Sequence, residues 1–236
     1  MNKILLSFLV TCSAVFASEY YAKVEPIHTY TVKASVSGKV IKVNTELESK
    51  FVKQALVVQL DDRVNRIDLK QSKLKLENLK EIKRLERENL ERFKKVSSKS
   101  KFDRDNQRIK IVNVDSTISD LETKIATLKD TVANKNLVEK NTYIYEIAVE
   151  VGDYVNPGTH LYTAMDLSKG KLEIFIPIEQ AKQIKEKTIY IDGEKTDLKI
   201  SKLYSVADSQ HISSYKCEII LPKPTNFSSL VKVEFK

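Results

Sequence analysis

The chain has only two cysteines in 236 residues, Cys12 and Cys217. The first lies in MNKILLSFLVTCSAVFASEYY, which has the layout of a secretory signal. Lys3 gives the positive start, Ile4 to Val10 a short apolar core, and Val15-Phe16-Ala17 leads to a cleavage site after Ala17. A buried N-terminal helix is the alternative. Cleavage leaves Cys217 alone, which excludes an intrachain disulfide even in an oxidising compartment, so stability must come from packing. Cys12 in LVTC offers a second route, a lipid anchor, although Thr11 stands where such signals place Gly, Ala or Ser. Long hydrophobic runs are also missing. The leader's apolar core is too short to span a bilayer, and no later segment approaches the roughly 20 apolar residues required. The mature protein is expected to be exported and soluble.

Glycine and proline number five each, and tryptophan is absent. So few turn formers argue against a pure β-sandwich with many tight turns. Catalytic signatures are absent too: there is no G-x-S-x-G, P-loop, H-E-x-x-H or cysteine pair. His28, His160 and His211 are too scattered for a metal-ligand pattern; His160 reads as a surface strand residue. Cys217 lies in an alternating strand and reads as a buried small hydrophobe rather than a nucleophile. No enzyme activity, metal or cofactor is expected.

Charge is plentiful. Forty Lys and Arg against 32 Asp and Glu give +8, or +7 once Lys3 leaves with the leader. In an exported chain that balance points to an anionic membrane surface or an acidic protein partner, not to nucleic acid. Residues 30–61 alternate, with Val32, Ala34, Val36, Val40, Val43, Leu47, Phe51, Val57 and Leu60 marking short strands. Residues 64–132 contain no Gly or Pro and are rich in Lys, Glu, Leu and Ile. Alternation returns from Tyr143 onward.

The middle segment reads as two helices. Ile111, Val114, Ile118, Leu121, Ile125, Leu128 and Val132 follow the 3-4 spacing of a coiled-coil seam. The first helix carries Ile67, Leu74, Leu76, Leu79, Ile82, Leu85, Leu90 and Phe93 on a less regular apolar side. SSKSKFDRDN, residues 97–106, suits the turn between them. A helix of ~33 residues rising 1.5 Å each makes an antiparallel hairpin of about 50 Å; two helices of a compact bundle are the alternative.

The flanks match each other. At a constant offset of 104, Gly38 meets Thr142, Val40 meets Ile144, Val43 meets Ile147, Leu47 meets Val151, Phe51 meets Val155 and Val57 meets Leu161. This is a degenerate internal repeat. The second copy, VGDYVNPGTHL, has Gly152 and Gly158 where the first has Glu48 and Gln54. Gly152-Asp153 and Pro157-Gly158 form tight turns, and Gly38 is read as a third turn glycine. Each copy cannot bury its face alone, so two interleave around one core with the helices inserted between them.

That arrangement resembles the split lipoyl/biotinyl-type domain of the periplasmic adaptor, or membrane fusion (HlyD-like), proteins. The resemblance covers residue 30 to the C-terminus, and VGDYVNPGTHL is its most specific part. It implies an α+β, mostly β chain with an inserted antiparallel coiled-coil hairpin and a C-terminal β-barrel. The divisions are 1–17 signal peptide, 30–61 first lipoyl-like half, 62–136 hairpin with its tip at about 94–106, 137–166 second half and 167–236 barrel. PIEQAKQIK reads as a short helix after a strand, and Asp192-Gly193 as a hairpin turn. A carrier lysine is replaced by the helical insertion, so no swinging-arm chemistry is implied.

RFKKVSSKSKFDRD resembles the tip of adaptors that serve resistance-nodulation-division (RND) pumps, in which an Arg, a Leu and a Ser make the contacts. Arg92 matches the Arg, Val96 stands for the Leu and Ser98 matches the Ser, with Lys94, Lys95 and Lys99 adding charge; a solvated polar loop is the alternative. Eight Lys and Arg between 92 and 110 face only Asp103 and Asp105, a balance suited to an acidic partner. The resemblance implies a periplasmic subunit at the inner membrane that joins an RND transporter to a TolC-type outer-membrane channel and self-associates into a ring. An adaptor of an ATP-driven exporter or type I secretion system, an exported coiled-coil scaffold and a biotin or lipoate carrier are the other readings.

Overall fold

The computed structural model describes residues 18–236, so the leader features Lys3, Cys12 and Ala17 lie outside the described residues. In chain order the strands are β1 (Ser18–Lys23), β2 (Glu25–Lys33), β3 (Gly38–Val43), β4 (Lys50–Leu60), β5 (Asn136–Ile147), β6 (Tyr154–Val155), β7 (His160–Pro177), β8 (Ile189–Ile191), β9 (Glu194–Lys195), β10 (Ile200–Leu203), β11 (Ser214–Leu221) and β12 (Leu230–Phe235). Two helices, α1 (Arg63–Lys95) and α2 (Lys101–Asn134), fall between β4 and β5. The protein is thus α+β and mostly β. No helix among the described residues is long and apolar enough to cross a membrane.

The chain forms two compact units, one of residues 30–164 and one joining residues 165–236 to the N-terminal strands before residue 30. In the first, antiparallel neighbours run in the order β5-β4-β3-β6. Val40 pairs with Leu60, Phe51 with Tyr143 and Gly38 with Val155. The two flanks of the helical insertion interlock. Val40 N–H donates to the Asp153 carbonyl (2.8 Å), Gly152 N–H to the Val40 carbonyl (2.9 Å) and Gly158 N–H to the Ala34 carbonyl (2.8 Å). Positions 104 apart share the core: Val40 with Ile144 and Val57 with Leu161 are all fully buried.

The match fails at Phe51, which is 54% exposed while Val155 is 1% exposed. The reason is local. β4 runs unbroken for eleven residues and turns Val52 inward, whereas the second copy is interrupted after two residues at β6. Gly152 (φ 109°) and Gly158 (φ 92°) take the left-handed conformation that turns require. In the first copy Ser49 adopts it at φ 58°, and Gln54 lies inside β4, so no second turn exists there. Glu48 accepts a hydrogen bond from Ile147 N–H across the two flanks (3.3 Å). Gly38 is not a turn residue. It opens β3, and a Cβ there would stand 3.2 Å from the Leu60 Cβ, so close approach of strands is what requires glycine.

In the second unit, β10-β11-β7 and β1-β12-β8-β9 close over one core. Ala22, Val24, Leu172, Ile174, Ile176, Ile189, Cys217, Ile219, Val233 and Phe235 fill it from both sheets. The expected 167–236 unit left residues 18–29 unassigned; the register Ser18↔Phe235 to Lys23↔Leu230 makes β1 part of it. Asp192 (φ 51°) and Gly193 (φ 86°) turn β8 into β9, the conformation expected of that pair. PIEQAKQIK is not a helix. After Pro177 the chain makes successive turns and one 3-10 turn, Ile184–Glu186, because Ala181 and Ile184, three residues apart, both point into the core.

Candidate functional site: the end of the helical pair

The helices run antiparallel. Lys80 pairs with Glu122 (3.0 Å), Lys83 with Asp115, and Gln107 Nε2 donates to the Glu86 carbonyl (2.9 Å) and to the Glu86 carboxylate. On α2 the expected seam is buried at Ile111, Ile118, Leu121 and Ile125. On α1 the expectation was wrong in part. Ile67, Leu74, Ile82 and Leu85 are exposed, while Leu69, Ser72, Leu76, Leu79, Lys83, Glu86, Leu90 and Phe93 face inward at 3-4 spacing. Sequence reasoning misses this seam because Ser72, Lys83 and Glu86 break its apolar pattern. They are tolerated because α2 offers Asp115 and Gln107 opposite the last two.

A hydrogen-bonded joint fixes the base of the pair. Asp62 is 3% exposed. Its carboxylate accepts from Arg66 Nε (2.8 Å) and Asn136 Nδ2 (2.7 Å). Asn136 Nδ2 also donates to the Val132 carbonyl (2.7 Å), and its amide oxygen accepts from Gln59 Nε2 (3.0 Å). Lys135 Nζ donates to the Asp61 carbonyl and to Asn65 Oδ1, both at 2.8 Å. β4, both helix ends and β5 are thereby tied together. The Arg66 guanidinium, followed by the Asn136 amide, holds the Asp62 carboxyl below its usual range against the opposing effect of burial.

At the other end the turn is shorter than residues 97–106 suggested. α1 stops at Lys95, α2 starts at Lys101, and five residues connect them. Val96 is extended (φ −101°, ψ 117°) and its carbonyl accepts from Lys99 N–H (3.2 Å). Ser100 caps α2: its Oγ accepts from Asp103 N–H (3.1 Å), and the Asp103 carboxylate accepts from Ser100 N–H (3.0 Å). These bonds lower the Asp103 pKa. The S-x-x-D spacing is the signal that marks this cap in the sequence.

The expected tip residues occupy the last turn of α1 and this connection. Arg92 Nη2 donates to Asn89 Oδ1 (2.9 Å), Lys94 pairs with Glu91 (2.5 Å), and Lys99 Nζ sits 4.6 Å from the Phe93 ring centre. Lys95, Val96 and Ser98 are exposed, and Ser98, unlike Ser100, is not engaged in the cap. Phe102, the aromatic residue of SKSKFD (98–103), is 73% exposed at this end. Val96 is 47% exposed. Every arginine of the chain lies between Arg63 and Arg108, so the guanidinium forks are confined to the helical pair. A surface hollow of about 820 Å³ on the flank of α1 is lined by Lys80, Lys83, Arg84, Arg87, Arg92 and Lys95 with Glu88 and Glu91.

Among the described residues no group of three or more His, Cys, Asp or Glu could hold a metal ion. Cys217 is fully buried, and burial pushes its thiol up to about 12. His160 is half-buried on β7 beside Thr163 Oγ1 (3.2 Å).

No protein-family model and no curated protein sequence matches the chain. Solved structures do. The chain is similar to the membrane fusion protein Spr0693 from Streptococcus pneumoniae R6, at 9% identity over 93% of this chain and 98% of that one, with a TM-score of 0.72. A chimeric MacA-MexA protein containing the Pseudomonas aeruginosa MexA α-hairpin domain matches at 16% identity over 93% and 80%, TM-score 0.69. MacA from Actinobacillus actinomycetemcomitans matches at 18% over 93% and 78%, TM-score 0.64. Split β-elements, an inserted helical pair and these likenesses together establish that the chain has the fold of the membrane fusion, or periplasmic adaptor, proteins.

Proposed function

We propose that the chain is the periplasmic adaptor subunit of a tripartite efflux assembly, joining an inner-membrane RND transporter to a TolC-type outer-membrane channel. The observation that carries this reading is the tight five-residue end of the helical pair. Arg92, Lys94, Lys95, Val96, Ser98 and Lys99 crowd there around a capped turn. A rigid turn presents them at low entropic cost, and Arg92 and Ser98 retain donors for carbonyl or carboxylate groups of the channel. The role is non-catalytic: the transporter supplies the free energy.

The flanks of the helices support a ring of copies. α1 exposes Ile67 (60%), Leu74 (46%), Ile82 (43%) and Leu85 (43%), and α2 exposes Ile109 (56%) and Val112 (64%). Two different apolar stripes on one arm suit a head-to-tail contact that closes into a ring.

The test is photocrosslinking in cells. A photoreactive residue replaces Ser98, Cys217 is changed to Ser, and captured proteins are identified by mass spectrometry. Capture of an outer-membrane channel with an RND transporter co-purifying is expected. Co-purification of an ATPase instead would move the transporter class, and capture of only this chain would overturn the tip assignment.

A further inference from the structure

Two strands of the second unit have an open side. β9 ends the order β1-β12-β8-β9, and β10 ends the order β10-β11-β7. Successive residues of an antiparallel strand direct their main-chain groups to opposite sides. Thr196 N–H donates across to the Ile189 carbonyl (3.0 Å), which turns the N–H and C=O of its neighbour Lys195 to the open side of β9. Tyr204 N–H donates to the Lys216 carbonyl (2.9 Å), which does the same for Leu203 on β10. Lys195 and Leu203 both line one groove of about 810 Å³. Leu198, Ile200 and Leu203, half-buried against the core of the unit, give it an apolar floor. Lys185, Lys187, Lys195 and Lys199 give it a cationic rim, and none of the four is in an ion pair among the described residues. Glu186 and Asp197 carry the opposing charge, so four lysines against two carboxylates leave +2.

We infer that this groove takes an extended, acidic segment of a partner protein, in the manner of an added β-strand. Charge, floor and main chain choose the occupant together. The rim lysines suit carboxylates spaced along a strand. Side chains of a strand alternate between its faces, so a segment that offers carboxylates to the rim can set apolar residues on Leu198 and Ile200. A phosphate or a lipid headgroup would answer the lysines and leave the open N–H and C=O groups of Lys195 and Leu203 to water. A second copy is disfavoured by the same lysines, which guard an edge against strands of their own basic chain. The groove belongs to the second unit and the helical pair to the first, so the inference goes beyond the adaptor reading and does not depend on it.

The test starts from a displayed library of random dodecapeptides, selected on the chain from Ser18 onward and counter-selected on its K195E/K199E variant. Counter-selection removes peptides that bind the basic helical tip instead. The surviving peptides are expected to be rich in Asp and Glu and to bind K195E/K199E about tenfold more weakly than the parent. K124E/K129E, on α2, is expected to bind them as the parent does, and both variants should keep the parent's circular dichroism spectrum. Amide exchange in the parent chain gives a reading that needs no variant. The N–H groups of Lys195 and Leu203 are expected to exchange fast in the free chain, and one or both to slow when peptide is added. No surviving peptide, survivors without acidic bias, or unchanged exchange at both positions would overturn the inference. So would phosphatidylglycerol vesicles or inorganic phosphate that bind with the same loss in K195E/K199E while no peptide survives, since that outcome places a phosphate in the groove.

Discussion

Replacing Asp62 by Ala tests whether the base of the helical pair is the joint described above. The carboxylate is 3% exposed and accepts from Asn136 and Arg66. The Arg66 side chain is 56% exposed, so its pair is screened and contributes below about 1 kcal/mol. The Asn136 bond counts for more, because its partner amide is sheltered and would lose an acceptor; a buried unsatisfied group costs about 1–3 kcal/mol. The sum is roughly 1–4 kcal/mol. Urea unfolding followed by circular dichroism at 222 nm reads mainly α1 and α2 and measures the loss directly. Asp61→Ala is the control: among the described residues that side chain bonds only Arg63, through its N–H and its guanidinium at an exposed site, while the Asp61 carbonyl that receives Lys135 is kept. Its midpoint should stay near that of the parent. A D62A midpoint indistinguishable from that of D61A would refute the joint.

Acid gives a second reading of Asp62. Its folded pKa lies below the ordinary aspartate value of 3.8. A lowered folded pKa contributes stability that is present above 3.8 and lost as pH falls through the lower folded value. Helix stability should therefore decline in that acid window, and Asp62→Asn should flatten the decline. Gly38→Ala should destabilise by about 1–3 kcal/mol through the contact with Leu60. Gly152→Ala, with open space but φ 109°, should cost about 1–2 kcal/mol as backbone strain alone; urea midpoints of both variants check this. Ser100→Ala removes the α2 cap and should cost about 1 kcal/mol, with faster amide exchange confined to the first turn. The Cys217 thiol should resist Ellman's reagent in the native protein and react on unfolding, since burial raises its pKa to about 12.

Several features are legible in the sequence alone. The absence of Gly and Pro over residues 64–132, with Lys, Glu, Leu and Ile dominant, favours long helices, and period 3.5 from Ile111 marks the buried side of α2. Gly152 and Gly158 announce turns because positive φ admits few other residues. The offset of 104 exposes the repeat, since Val40, Ile144, Val57 and Leu161 answer to the same core. Tertiary structure alone decides the rest. The α1 seam accepts Ser72, Lys83 and Glu86, and Asp115 and Gln107, which answer the last two, come from a distant part of the chain. β1 joins the C-terminal unit through a pairing with β12 that links Ser18 to Phe235, a separation that local periodicity does not report. Gly38 has the look of a turn residue and is instead a steric allowance for Leu60. Local propensity is written in neighbouring residues, but the acceptability of a buried polar group or a missing side chain depends on what the fold brings opposite it.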